Sequence, residues 1–283
     1  MIDTARTKSL FQKLQRTANK LAKRADAEDV HDFRTTARRV ETAIAELLPK
    51  PNRNTRKLRK QATKLRKRAG RVRDLDVQLV ALESLNTGRD AAQKSFLMEA
   101  LASDRRRREK KLLGALDSNE LKSLRKRARR TAKEVLASKV NFDPVARALR
   151  EFGDLARKQG EISEATLHPY RLRCKRIRYI AEMAGEQPGA EAIVEQLKKI
   201  QDAAGEWHDW QVLTSRAEEV FTDLPNPAMV SALRSVTHAK LMEALHVTQE
   251  ARQVLLNMVS SAKPPKSVPR KRSRGELAAA AVA

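Results

Sequence analysis

Residues 30–40 read VHDFRTTARRV and residues 167–177 read LHPYRLRCKRI, so one basic pattern occurs twice in the chain. The two histidines are 137 residues apart, about half of the 283-residue chain. The aligned positions share a histidine, three cations and a branched apolar residue: His31 with His168, Arg34 with Arg171, Arg38 with Lys175, Arg39 with Arg176, and Val40 with Ile177. This repeat predicts two related halves.

A second repeat follows the first at nearly the same offset. Residues 70–77 read GRVRDLDV and residues 205–212 read GEWHDWQV, 135 residues further on. The alignment places Arg73 over His208, and Asp74 over Asp209. Two halves that each present a histidine and several cations at helical spacing indicate one anion site built from both.

The composition favours a polyanionic partner. The chain has 59 Lys and Arg against 35 Asp and Glu, which gives a formal charge of +24. Such an excess opposes folding by self-repulsion and is usually matched to nucleic acid, an anionic membrane surface or a phosphate polymer. The 4% of aromatic residues argues against strand-rich folds and against single-strand binders, which stack bases on aromatic rings.

Cys174 is the only cysteine, which excludes an intrachain disulfide and a thiolate metal cage. The N-terminal residues lack the apolar run of a signal peptide, and no stretch approaches the roughly 20 apolar residues that span a bilayer. We therefore expect a soluble, cytoplasmic protein.

The apolar residues recur with a helical period over nearly all of residues 1–261. Two stripes show this most clearly and repeat each other: Val30, Phe33, Ala37, Val40, Ile44 and Leu47; and Leu167, Tyr170, Cys174, Ile177, Ala181 and Ala184. Stripes of this width predict an all-α protein of long antiparallel helices packed as bundles. We expect about five helices in each half, and Asp143-Pro144 and His168-Pro169 place prolines where first helical turns would begin.

The predicted domain boundaries follow from these patterns. Residues 1–261 form one domain with two repeats, about 1–140 and 141–261. Residues 262–283 are proline-broken and basic, and we predict a disordered tail.

The charge is unevenly distributed along the chain. Residues 51–73 contain eleven Lys or Arg and no carboxylate, whereas residues 185–223 contain nine carboxylates and three cations. The distribution predicts a directional positive region rather than a uniformly basic coat.

The cations of the first repeat share one helix face. His31, Arg34 and Arg38 lie at i, i+3 and i+7, beside the apolar stripe. The second repeat places His168, Arg171, Lys175 and Arg178 on an equivalent face. Arginine forks match phosphate oxygens bidentately, and lysine acts as a mobile point charge, so a cationic row along the buried edge of a bundle predicts an anion-binding groove or pore.

The His-led motifs and the segment GRVRDLDV resemble the CHAD domain, the conserved histidine α-helical domain, over roughly residues 5–260. The resemblance implies two helical bundles related by a pseudo-twofold axis, with a central basic groove or pore that binds inorganic polyphosphate without catalysis. It also implies an association with polyphosphate granules. We find no E-x-E-x-K motif of the CYTH domain that accompanies many relatives, so the chain resembles a stand-alone CHAD protein.

The resemblance implies specific polyphosphate-binding residues. The first motif contributes His31, Arg34, Arg38 and Arg39, and the second contributes His168, Arg171, Lys175, Arg176 and Arg178. Arg73, His208 and Lys64 complete the predicted set. Glu41 departs from the family pattern, because it stands where the second repeat has the cation Arg178.

Other interpretations have less support in the sequence. A metal site built from His31, His168 and His208 would place a divalent cation among arginines and lysines, and catalysis would lack a carboxylate pair or a glycine-rich phosphate loop. We therefore expect no metal, cofactor or catalytic residue. The alternative functions are sequence-nonspecific DNA or RNA binding and, third, phosphoanhydride hydrolysis. Cys174, Trp207 and Trp210 are predicted core residues.

Overall fold

The computed structural model of the chain describes residues 4–86, 91–138, 140, 142–223 and 227–262. Within these residues, every regular element is a helix, which confirms the all-α prediction. The predicted tail, apart from Ala262, lies outside the described residues. None of the described helices combines the length and the apolar character that a membrane-spanning segment requires.

Five helices form the first half: α1 (Thr4–Lys23), α2 (Ala27–Leu47), α3 (Arg53–Ser84), α4 (Ala91–Leu113) and α5 (Ser118–Leu136). The second half contains α6 (Pro144–Lys158), α7 (Glu164–Ala181), a short 3-10 turn (Glu182–Ala184), α8 (Ala190–Val220) and α9 (Ala228–Ser261). The order of the motif-bearing helices is the same in both halves, since α7 corresponds to α2 and α8 corresponds to α3. The predicted twofold axis itself stays a prediction.

The second half contains four long described helices rather than the expected five. The 34-residue α9 packs against both α8 and α6, whereas the first half uses α4 against α3 and α5 against α1. Helix α9 contains no glycine or proline, while a turn with Gly114 and the N-cap residue Asp117 separates α4 from α5. One uninterrupted helix therefore replaces two.

Side-chain caps begin α2 and α3, two of the helices that carry the site. Asp26 Oδ1 accepts from the Asp29 amide at the start of α2, and Asn52 Oδ1 accepts from the Thr55 amide at the start of α3, both at 2.9 Å. Asp143 caps α6 ahead of Pro144, as predicted. The expectation for Pro169 was wrong, because α7 begins at Glu164 and carries this proline in its interior.

The predicted apolar stripes form the core. The six stripe residues of α2 are between 0% and 2% exposed, and Cys174 and Tyr170 of α7 are fully buried. One continuous cluster joins helices of both halves, with α2 packed against α7 and α3 packed against α8. Trp207 and Trp210 lie in two smaller clusters and are buried, which confirms that they are core residues. The two halves therefore meet along their motif-bearing helices.

Candidate functional site: a cationic groove between the two halves

Helices α2, α3, α7 and α8 leave a cavity of about 700 Å³ where the two halves meet. Its lining includes three histidines and six Arg or Lys side chains, and together they come from all four helices. They are His31, Arg34 and Arg38 of α2, Arg66 and Arg73 of α3, His168, Arg171 and Lys175 of α7, and His208 of α8. We call this cavity the groove. Both copies of both sequence repeats therefore line one site.

Arg34 shows how the first half positions a groove cation. Its guanidinium passes close to Gly70 of α3, and a Cβ added to this glycine would lie 3.8 Å from Arg34 Nε and Nη2. Arg34 Nη1 is 3.7 Å from Asp74 Oδ1, one turn further along α3. Gly70 thus leaves room for the Arg34 guanidinium, and Asp74 places a negative charge beside it.

Arg171 occupies the equivalent position in the second half. A Cβ added to Gly205 of α8 would lie only 2.9 Å from Arg171 Nη2, a distance at which the arginine would have to move. Arg171 Nε donates to the Gln201 carbonyl oxygen at 3.2 Å, and Asp209 provides the nearby negative charge. Gly205 therefore makes room for Arg171 in the second half of the chain.

The histidines lie in two different environments. The rings of His168 and His208 are in contact, with centroids 3.9 Å apart. His31 instead faces Arg73, which is the aligned partner of His208. Burial lowers the pKa of His31, and the positive charge of Arg73 lowers it further. Burial also lowers the pKa of His168, and the neighbouring His208 lowers it further. The lowered pKa values favour neutral rings that keep one N–H donor at neutral pH.

The groove holds more positive charge than its own carboxylates balance. Burial lowers the pKa values of Arg34, Arg38 and Arg171, and neighbouring arginines lower those of Arg34 and Arg38 further. Lys175 is affected most, since burial and then the charges of Arg171, Arg34 and other arginines lower its pKa to about 7. A bound anion would relieve this repulsion.

Four carboxylates also line the groove. Asp74 and Asp209 lie beside the partly buried arginines, and desolvation raises the pKa of each, although Arg34 and Arg171 respectively act in the opposite direction. Asp202 and Glu206 have partners among other lysines: Lys198 Nζ is 2.9 Å from Asp202 Oδ2, and Lys240 Nζ is 2.9 Å from Glu206 Oε1. Asp74 and Asp209 therefore offset Arg34 and Arg171 in part, whereas Asp202 and Glu206 pair with lysines outside the groove lining.

Four of the predicted binding residues do not line the groove. Arg39 Nε donates to Glu182 Oε2 at 2.7 Å, and Arg176 Nη2 donates to Glu46 Oε1 at 2.9 Å. Arg178 stacks over the Tyr179 ring, with its Cζ 5.1 Å from the centroid, and has Glu182 within 3.5 Å. Lys64 is exposed on the far side of α3. These cations hold helices together or face solvent elsewhere.

Arg66 lines the groove but was not in the predicted set. It lies seven residues before Arg73 and on the same face of α3, so the helical spacing from Arg73 could have predicted its position. Its Nε donates to Glu41 Oε1 at 2.9 Å, while Arg38 Nη1 is 3.6 Å from Glu41 Oε2. Glu41, the departure from the family pattern, therefore orients two groove arginines.

The described residues contain no group of three or more His, Cys, Asp and Glu side chains that could hold a metal ion.

Comparison with known proteins identifies relatives of this arrangement. The model of the CHAD domain family matches residues 5–218. The fold is similar to the crystal structure of the CHAD domain from the plant Ricinus communis, with a TM-score of 0.66 and 19% identity, over 88% of this chain and 90% of that chain. No curated protein matches the chain significantly.

Proposed function

The chain belongs to the CHAD domain family, a family associated with polyphosphate-related proteins, and we propose that its groove binds inorganic polyphosphate without cleaving it. The observation that carries the proposal is the convergence of cations from both halves on one concave site. Arg34 and Arg171 approach it from α2 and α7, and their charges act on Lys175, whose pKa is about 7. Binding of this kind would recruit the protein to polyphosphate granules.

The form of the groove favours a linear phosphate polymer over single-stranded nucleic acid. Apart from the three histidines, the aromatic side chains that border it are Tyr179 and Trp210, and they are only 3% and 8% exposed. Neither offers a free face on which a base could stack. Polyphosphate has no bases and needs only closely spaced donors, which the arginine forks and Lys175 supply.

The carboxylates of the groove support binding rather than hydrolysis. Asp74 and Asp209 are placed beside Arg34 and Arg171, where they orient guanidinium groups. Phosphoanhydride hydrolysis would need a group that activates water or a metal ion that does so. The third alternative, a hydrolase, predicts that the pure protein releases phosphate from polyphosphate in the presence of magnesium or manganese. If such release occurred and His31→Ala or His208→Ala abolished it, this result would contradict a function in binding alone.

The test of the proposed site reverses charges in one half at a time. Arg34→Glu with Arg38→Glu changes the first half, and Arg171→Glu with Lys175→Glu changes the second. Each pair removes two charge-assisted contacts and adds repulsion, so we expect each to weaken binding of long-chain polyphosphate by at least about 100-fold. Isothermal titration measures the affinity, and circular dichroism checks the helices.

The matched control is Arg150→Glu with Lys158→Glu, which changes the net charge equally at two exposed positions of α6. Arg105 would be a poor control, because it donates to Asp76 Oδ1 at 2.8 Å and helps to pack α4 against α3. Equal losses from the control and from the groove variants would mean that net charge alone drives binding, which contradicts a shared groove.

A further inference from the structure

A second basic surface lies outside the groove, on the solvent side of α3 and α5. One straight row of cations runs along α3 with spacings of four and three residues, and all of its members are exposed: Arg53, Lys57, Lys60, Lys64, Lys67 and Arg71. Because four-and-three spacing follows one face of a helix, these side chains project in the same direction. At ~1.5 Å per residue the row is roughly 27 Å long.

A second row runs along α5 with the same spacing, and it is also exposed throughout: Lys122, Lys126, Arg129 and Lys133. The two helices are antiparallel neighbours. Asn54 Nδ2 donates to Thr131 Oγ1 at 3.1 Å near one end, and Gln61 Nε2 donates to the Glu120 carbonyl oxygen at 3.2 Å near the other. The α5 row therefore lies beside the first part of the α3 row, on helices whose axes are about 8–10 Å apart as in packed helices generally. We call them together the outer basic face.

Acidic side chains do not neutralise this face. Among the described ion pairs, none involves any of the ten cations. The nearby carboxylate of Glu134 accepts from Asn52 Nδ2 at 2.7 Å and from Thr55 Oγ1 at 2.6 Å, so it is turned into the α3–α5 contact. The face thus presents ten positive charges to solvent.

The shape and composition of the face favour one kind of polyanion. It contains no aromatic side chain for stacking, which disfavours single-stranded nucleic acid. No large exposed apolar side chain lies between Arg53 and Arg71 or between Lys122 and Lys133, and the exposed Leu136 follows the α5 row by one turn, which leaves little to insert into a lipid bilayer. Exposed rows of cations on two neighbouring helices instead suit the two phosphate backbones of a duplex, which flank grooves about 6 and 12 Å wide.

We propose that the outer basic face binds the phosphate backbone of double-stranded nucleic acid, without reading its sequence and independently of the groove. Each lysine or arginine that neutralises a phosphate releases a condensed counterion, which supplies the free energy of binding. Lys64, predicted from the sequence as a polyphosphate ligand, belongs to this face. The groove and the outer basic face use different sides of α3, because Arg66 and Arg73 line the groove.

The test is Lys57→Glu with Lys60→Glu and Lys64→Glu, measured with a 30-base-pair DNA duplex by fluorescence anisotropy. We expect an affinity loss of more than about tenfold, and a log-log salt slope that falls in magnitude by about 2–3, as three lost phosphate contacts require. Arg150→Glu with Lys158→Glu and Arg173→Glu is the matched control, since it changes the same charge at exposed positions of α6 and α7. It should bind the duplex within about twofold of the unchanged protein.

Two further variants keep the result interpretable. Arg129→Gln with Lys133→Gln on α5 should also weaken duplex binding, and circular dichroism checks that all variants fold. Arg171→Glu with Lys175→Glu in the groove should keep duplex binding, which separates this proposal from polyphosphate binding. The proposal is overturned if the unchanged protein does not bind the duplex, or if the α3 row variant and the control variant lose equal amounts of duplex affinity. It is also overturned if the α3 row variant binds the duplex normally and loses only its binding of polyphosphate or of vesicles.

Discussion

At the scale of single residues, Lys175 has the environment most opposed to its own charge. Burial is the largest cause of its lowered pKa, and the positive charges of Arg171, Arg34, Arg38 and Arg178 add to it. The lysine therefore titrates near neutral pH, where most lysines stay protonated. A phosphate chain beside Lys175 would favour the protonated form, so binding should be coupled to proton uptake.

This coupling predicts how polyphosphate affinity depends on pH. In the free protein Lys175 is protonated below its pKa of about 7 and neutral above it. We expect the affinity to be constant with respect to this group below pH 7 and to fall by up to about tenfold per unit between pH 7 and 9. The measurement is titration calorimetry in buffers of different ionisation enthalpy, which counts the protons taken up.

His31 and His168 do not account for a decline between pH 7 and 9, because their pKa values are lowered from the ordinary value of 6.5. Lys175→Gln should bind more weakly at pH 7 and show a flat profile up to pH 9. An unchanged decline in the Lys175→Gln variant would assign the pH dependence to another group.

At the scale of helices, the distance between neighbouring elements decides where a groove arginine can lie. Helices α7 and α8 approach so closely that only a glycine at position 205 leaves room for Arg171, whereas α2 and α3 leave ordinary contact distance between Gly70 and Arg34. The two halves repeat the same arrangement of glycine and arginine, but only the first half has room for a side chain in place of the glycine.

We therefore expect Gly205→Ala and Gly70→Ala to differ in binding. Gly70→Ala removes a helical glycine and should stabilise the fold by up to about 0.5–1 kcal/mol, because glycine loses more backbone entropy on folding, whereas in Gly205→Ala the close contact with Arg171 opposes this gain. Gly205→Ala should displace the Arg171 guanidinium and weaken polyphosphate binding by about tenfold, the loss of one charged hydrogen bond. Gly70→Ala should leave binding nearly unchanged. Thermal melts and titrations measure both effects, and equal affinities for the two variants would show that the close approach of Gly205 has no role.

At the scale of the whole molecule, α3 separates two cationic surfaces. Arg66 and Arg73 line the groove, while Lys60 and Lys64 belong to the outer basic face. Part of the charge excess of the chain, +24, therefore lies in the groove and part on the outer basic face. The acidic residues of α8 leave the second half without an equivalent outer face.

Two separate surfaces predict simultaneous binding of two polyanions. A short-chain polyphosphate should occupy the groove while labelled DNA duplex stays bound, because the ligands contact opposite sides of α3. In an anisotropy titration, saturating short-chain polyphosphate should change the duplex affinity by less than about threefold at moderate salt, where long-range repulsion is screened. Full mutual displacement at matched phosphate concentration would mean that both ligands share one site.

The local features of this protein were predictable from its sequence. The helical period of the apolar residues predicted α2 and α7 and their buried stripes, and the caps predicted helix starts such as Asp143-Pro144. The paired motifs predicted that Arg34, Arg38, Arg171 and Lys175 would lie together. These features depend on spacing within one helix or on the repeat, both of which are present in the primary structure.

Only the tertiary structure decided whether each cation points into the groove, toward another helix or toward solvent. Arg39 and Arg176 belong to the predicted motifs, but they form ion pairs with Glu182 and Glu46 away from the groove. Arg66 lines the groove and Lys64 does not, although two positions separate them in the same helix. Helical spacing places residues on a common face, but it does not state which neighbour that face meets; the packing of α3 between α2, α5 and α8 assigns one side to the groove and another to solvent.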